Sequence, residues 1–131
     1  MAQTMEQKRA EDAWLCAQGC SEPYQKLAKG LPALIMNSGL MQVLAFMHEK
    51  GSKGSEPHQA LGEHLRGWLH KQFPGTLRKP DFASVMQGLM HDAQAADFQH
   101  ITAEALAWLR WARQLAPAIG RKSPAVGTKA V

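Results

Sequence analysis

One stretch near the middle of the chain, from Leu31 to Phe46, constrains the fold more than any other. It reads LPALIMNSGLMQVLAF, two apolar segments of helix-favouring residues joined by Asn37-Ser38-Gly39. These three are turn residues, and glycine accepts backbone conformations that end a helix. The stretch therefore predicts two helices joined by a tight turn. Pro32 cannot donate a hydrogen bond to Ala28, so a kink or break is expected near Gly30 to Pro32.

The rest of the chain shows helical periodicity and lacks strand signals. Alternating apolar and polar residues and runs of β-branched residues are missing, while Ala, Leu, Met, Gln, Glu and Lys dominate. We expect about six helices in a compact all-α bundle. The sequence predicts a first helix over 5–18 with a Thr4–Gln7 capping box, a second capped by Ser21, a third over 40–50, a polar loop over 51–55, a fourth helix over 56–73, a fifth capped by Asp81 and a last one capped by Thr102 with its body at 105–116.

Length and charge distribution bound the domain organisation. A chain of 131 residues has the size of one domain. Its net charge of +4 comes from the end, because residues 101–131 hold five Lys or Arg and one acid, Glu104. We expect a single helical domain over residues 1–118 and a basic, disordered tail over 119–131. A basic end can contact a polyanion, or it can simply make the chain more soluble.

Hydropathy gives an expectation for the compartment. No apolar run approaches the ~20 residues that span a bilayer, and the polar N-terminal segment has no signal-peptide core. We therefore expect a cytoplasmic protein without a membrane partner.

The residues that carry most enzyme chemistry do not form catalytic patterns. None of the histidines belongs to an HExxH motif or lies at zinc-site spacing from the cysteine pair, Cys16 and Cys20. Phosphate-binding glycine loops and the GxSxG nucleophile motif are also missing. We therefore expect no enzyme activity, no metal, no cofactor and no small-molecule substrate.

The last helix carries the pattern that most suggests nucleic-acid contact. Its apolar stripe faces one way, Arg110 and Arg113 face the other, and Trp111 lies at the boundary. Single-stranded nucleic acids bind proteins through rings that stack on bases and cations that contact phosphates. A tryptophan at the edge of the core beside solvated arginines would give the same pattern. The ring could also anchor a neighbouring protein.

Two further pairs of basic residues lie on predicted helices. Lys8 and Arg9 are adjacent on the first, and Lys26 and Lys29 share one face of the second. Such pairs can follow a phosphate backbone as point charges. The predicted nucleic-acid-binding residues are thus Lys8, Arg9, Lys26, Lys29, Arg110 and Arg113. Because residues 1–100 carry equal numbers of basic and acidic side chains, binding by the isolated chain should be weak and salt-sensitive.

Several segments in a fixed order resemble a known family. They are QKRAEDAW (7–14), YQKLAK (24–29), the central stretch (31–46) and EALAWLRWARQLA (104–116). Together they resemble the small all-helical subunit of type III-B CRISPR effector complexes, the Cmr small-subunit family. The resemblance implies a non-catalytic subunit that stacks as a short filament along the backbone of the complex and helps to hold target RNA in antiviral defence. It implies as partners the other Cmr subunits, further copies of the same chain, guide RNA and single-stranded target RNA.

Two alternatives remain open from the residues alone. The chain could be a helical protein-interaction adaptor without a nucleic-acid role. It could also be a helix-turn-helix binder of double-stranded DNA, which fits less well because Pro32 and the apolar central stretch would make a poor recognition helix.

Overall fold

In the computed structural model, which describes residues 2–122, the chain forms six α-helices and one π-helical turn, and this part contains no strand. The helices are α1 (Met5–Ala17), α2 (Glu22–Ser38), α3 (Leu40–Ser52), α4 (Glu56–Gln72), α5 (Phe82–Gln87) and α6 (Ala95–Ile119). The π-helical turn, Gly88–Asp92, continues α5. The predicted all-α bundle of about six helices is confirmed.

Polar side chains start three of the helices where the sequence predicts them. The Thr4 hydroxyl accepts from the backbone N–H of Gln7 (3.1 Å), and the Gln7 side chain accepts from the backbone N–H of Thr4 (2.8 Å). Ser21 caps α2 in the same way, and Asp81 caps α5. These contacts satisfy N–H groups that have no partner inside a first helical turn.

Gly39 alone separates α2 from α3. Its φ of 89° lies in the left-handed region that favours glycine, and its N–H donates to the Ile35 carbonyl (2.8 Å). The predicted turn is confirmed in position, although Asn37 and Ser38 still belong to α2.

The break predicted at Pro32 is wrong. Helix α2 continues through this residue. Pro32 removes one hydrogen bond, but the buried stripe Tyr24, Ala28, Leu31 and Ile35 continues on both sides of it. Packing of this stripe against α3, α4 and α6 keeps the two halves in one helix.

Two other boundaries also differ from the sequence prediction. Gly51 and Ser52 complete the last turn of α3 instead of opening a loop. Helix α6 begins at Ala95, seven residues before Thr102, with the Gln94 backbone N–H donating to the Asp97 side chain (3.0 Å). Thr102 therefore lies inside the helix, where its buried hydroxyl has no hydrogen-bond partner. Capping preference alone could not choose between Thr102 and the earlier start.

Helix α6 packs along both α1 and α2. It runs parallel to α1, because Arg9 contacts Glu104 near the start of both helices, while Cys20, just after α1, contacts Ala116 near the end of α6. It runs antiparallel to α2, since the Gln25 amide donates to the carbonyl of Arg121, just beyond α6 (2.9 Å).

The apolar stripes of the helices meet in one core. Its largest fully buried side chains are Trp108, Leu31, Leu40, Leu44, Met47, Leu61, Leu65, Leu69, Leu77, Ile101, Leu109 and Val85. No helix within residues 2–122 is long and apolar enough to cross a membrane.

The end of the described chain is attached to the bundle. Helix α6 extends to Ile119, and Arg121 then donates from its backbone N–H to the Cys20 carbonyl and from Nε to the Gly19 carbonyl. Most of the predicted tail, residues 123–131, lies outside the described residues.

Candidate nucleic-acid interface

Five of the six predicted contact residues are exposed on helices. Lys8 lies on α1, Lys26 and Lys29 on α2, and Arg110 and Arg113 on α6. All five are available to a partner. The sixth, Arg9, is half-buried and is engaged by acidic side chains.

Lys26 and Lys29 line a shallow groove between α2 and the last turns of α6. The groove has a volume of about 280 Å³, and Pro117 forms its wall on α6. Glu22 also lines it and places one carboxylate among the cations. At the same end, Lys122 Nζ donates to the Pro117 carbonyl (3.0 Å), which adds a cation that the predicted set missed.

Arg110 and Arg113 lie on the side of α6 that bears Pro117. Residues 110, 113 and 117 fall within about 60° around the helix axis. Because α2 and α6 are antiparallel, these arginines continue along the border that Pro117 shares with Lys26 and Lys29. We call this surface the basic groove: Lys26, Lys29, Arg110, Arg113 and Pro117. The fold thus brings together four of the six predicted residues.

Two predicted features lie away from the basic groove. Lys8 lies on the exposed surface of α1 and does not line the groove. Trp111 is half-buried and packs against the core. The prediction that it lies at the edge of the apolar stripe is confirmed.

Arg9 forms a buried ion pair with α6. Its Nε and Nη2 donate to the two oxygens of Glu104 (2.7 and 2.8 Å), and Nη1 donates to Glu6 (2.9 Å). The hydrogen bond to Glu104 is the main reason that the pKa of Arg9 is raised. The Trp68 indole N–H of α4 donates to the same carboxylate (2.9 Å). The geometry therefore differs from the expected phosphate contact, and we infer a structural role for Arg9.

Asp12 forms a second contact of the same kind among the same three helices. It accepts from the Trp108 indole of α6 (2.9 Å) and from Lys71 Nζ of α4 (2.9 Å). We call the two clusters together the polar brace: Arg9, Asp12, Trp68, Lys71, Glu104 and Trp108. The acidic members of this brace were not predicted from the sequence. One signal could have indicated them, since a buried tryptophan requires an acceptor for its N–H.

Two other polar groups lie near the polar brace. The Cys16 thiol contacts Asp12 (3.8 Å), and burial raises the pKa of this thiol to about 12, so it stays protonated at neutral pH. The Tyr24 hydroxyl and His64 Nδ1 lie 2.8 Å apart and connect α2 to α4. Burial lowers the pKa of His64 and favours its neutral form.

These features define a class of protein: a small helical bundle with an exposed basic groove. Within residues 2–122 no cluster of His, Cys, Asp or Glu is arranged to hold a metal ion. The family described as CRISPR-associated protein (Cas_Cmr5) matches residues 5–119, and the chain belongs to this family. The resemblance to the Cmr small-subunit family is thereby confirmed.

Two proteins from Thermus thermophilus are similar to the chain. One is the CRISPR system Cmr subunit Cmr5, 31% identical over 96 residues, which are 73% of this chain and 74% of the relative. The other comparison is with an X-ray crystal structure of a CRISPR-associated Cmr5 family protein. It gives a TM-score of 0.69 at 28% identity and covers 90% of this chain and 98% of that one.

Proposed function

We propose that the chain is a non-catalytic subunit of a type III-B CRISPR (Cmr) effector complex and that its basic groove contacts RNA. Family membership supports the assembly, since the Thermus relative is named as a Cmr subunit. The observation that carries the RNA contact is the alignment of Lys26 and Lys29 with Arg110 and Arg113 along two antiparallel helices.

The geometry of the basic groove suits a single strand. Cations spaced by helical turns can meet successive phosphates, while the groove offers no deep pocket for a base. Single-stranded target RNA in the assembled complex is the proposed occupant, next to the guide RNA held by the backbone subunits. Binding by the isolated chain remains weak, because few cations contribute.

Exposed apolar side chains support contacts with other proteins. On α1, Trp14 is 45% and Leu15 is 62% exposed, and on α2, Met36 is 75% exposed. Large apolar groups at the surface are typical of protein interfaces. We propose that they contact other Cmr subunits and neighbouring copies of this chain in a short filament. The same side chains are what a protein-interaction adaptor without an RNA role would present, so the adaptor is the second candidate.

Native mass spectrometry of the tagged chain from its host, with and without RNase treatment, separates the two candidates. A multi-protein particle that carries guide-length RNA supports the effector subunit. A lone chain, or a complex free of RNA and indifferent to RNase, supports the adaptor and rejects the proposal.

Charge reversal in the basic groove tests the RNA contact directly. Arg110→Glu with Arg113→Glu should weaken target-RNA retention by the assembled complex and reduce the salt dependence of that retention. Lys50→Glu with Lys53→Glu is the matched control, because it changes the charge equally on exposed residues of α3 and its cap, which do not line the groove. Unchanged retention in the Arg110/Arg113 variant would exclude these residues from the RNA path.

A further inference from the structure

A second pair of adjacent cations lies on the connector between α4 and α5. Arg78 and Lys79 are both exposed, and neither forms an ion pair with a carboxylate within residues 2–122. They belong neither to the predicted set nor to the basic groove. Their charges are therefore free to meet an anion.

The connector holds these two cations in place from both sides. Before them, Leu77 is fully buried, and its carbonyl lies 2.7 Å from His70 Nδ1. After them, the Pro80 carbonyl accepts from Nε of Arg66 (3.1 Å). A backbone anchored on both sides of a charged pair reduces the entropy lost when that pair binds a ligand.

Arg66 adds positive charge behind the connector. The residue is only 8% exposed and forms no ion pair with a carboxylate in the described part of the chain. Burial lowers its pKa, yet a guanidinium remains protonated at neutral pH. Its charge is poorly screened by solvent, so it favours an anion nearby.

Arg78 and Lys79 line a groove of about 320 Å³ between the connector and α5, which we call the connector groove. The hydroxyls of Thr76 and Ser84 also line it, and Asp92 contributes a carboxylate. Gly88, the first residue of the π-helical turn, brings the two walls together. A Cβ atom at this position would lie 2.4 Å from the Thr76 carbonyl oxygen.

We propose that the connector groove binds a phosphate group through Arg78 and Lys79, with the Thr76 and Ser84 hydroxyls as additional donors. A planar guanidinium can donate two hydrogen bonds to one phosphate, and the adjacent ammonium adds a point charge. Two sources share this chemistry: a phosphodiester of single-stranded RNA and a free phosphate. The RNA source rests on the proposed function, whereas the free-phosphate source does not.

Nuclear magnetic resonance of the full chain tests binding of both sources. The Nε–Hε signal of Arg78 and the backbone amides of Lys79 and Ser84 are followed while an oligouridylate or inorganic phosphate is added. A saturable shift with either probe supports the groove, and the responding probe identifies the source. The absence of a shift with both probes overturns the proposal.

The variant Arg78→Gln with Lys79→Gln measures the RNA contribution. Oligouridylate affinity is measured by fluorescence anisotropy at several salt concentrations. The slope of log K against log salt should become shallower by about 0.7 for each phosphate that the variant no longer neutralises. Lys50→Gln with Lys53→Gln removes the same charge outside the connector groove and should leave the slope unchanged. An RNA-induced shift at Arg78 together with an unchanged slope in the Arg78/Lys79 variant overturns the RNA source.

Lys26→Gln with Lys29→Gln separates this inference from the proposed function. A slope that changes only in the Lys26/Lys29 variant leaves the basic groove in place and rejects RNA binding at the connector. A slope that changes only in the Arg78/Lys79 variant supports the connector groove and rejects the basic groove as the RNA contact.

Discussion

The polar brace and the basic groove use similar cations in opposite surroundings. In the brace, the Arg9 side chain is 20% and the Glu104 side chain 10% exposed, and each finds its partner within hydrogen-bonding distance. In the groove, Lys29 and Arg113 are exposed to solvent and have no carboxylate partner within residues 2–122. The chain thus places one set of charges between helices and keeps the other available at the surface.

This difference separates stability from binding. A charge removed from between helices leaves its partner buried and uncompensated, which is costly. A charge removed from the surface leaves nothing exposed that was not already solvated. Variants in the brace should therefore change folding, while variants in the groove should change only what the folded protein binds.

The largest effect is expected at Glu104. Glu104→Ala removes the carboxylate that accepts from Arg9 and Trp68, so unfolding free energy should fall by about 3 kcal/mol. Urea denaturation followed by circular dichroism measures this loss. Glu49→Ala, which breaks the exposed pair with Lys53, is the control and should change the midpoint little. Equal losses in the two variants would remove the distinction between brace and surface.

Asp12 should show a smaller loss in the same assay. Asp12→Ala removes the acceptor of the Trp108 indole and of Lys71, and we expect a loss of about 2 kcal/mol. Asp12→Asn keeps an acceptor oxygen for the indole and should lose less than the alanine variant. Glu11→Ala, the exposed neighbour on α1, is the matched control. If Asn and Ala are equally destabilising, charge and not hydrogen bonding is the main contribution.

His64 should give stability a pH dependence. Its pKa is lowered by burial in the folded state, so the unfolded chain binds its proton first as pH falls below the ordinary histidine range. The stabilising contribution is present above the unfolded pKa of about 6.5 and is lost as pH falls through the folded pKa. Denaturation midpoints between pH 8 and 5 should fall less steeply in His64→Gln. An identical slope in both proteins would contradict this assignment.

The smallest effect on folding is expected in the basic groove. Arg110→Gln with Arg113→Gln should change the unfolding free energy by no more than about 0.5 kcal/mol. Differential scanning calorimetry and urea denaturation check this value. A larger loss would mean that these arginines support the fold, and the contrast between the two regions would disappear.

Much of the fold could be predicted because its signals are local. The Thr4–Gln7 capping box, the Gly39 turn and the exposed side of α6 each follow from residues a few positions apart. The start of α6 and the continuity of α2 through Pro32 could not be predicted in this way. Both depend on packing against other helices, which overrides a local preference.

The candidate site was predicted in part for the same reason. Helical periodicity identified Lys26, Lys29, Arg110 and Arg113 as surface cations, but it could not place two helices beside each other. Arg78 and Lys79 were missed because a connector has no periodicity to mark them. Arg9 was taken as a free cation because its partner is distant in sequence.

The sequence by itself determined which segments are helical and which side of each helix is apolar, because backbone hydrogen bonding and side-chain periodicity act over a few residues. Only the tertiary structure decided which charges are satisfied. Arg9 and Glu104 are 95 residues apart, and Asp12 and Trp108 are 96 apart. Whether such groups meet depends on how the helices pack, and packing is a property of the whole core. That packing separates the cations that hold this bundle together from those left for a partner.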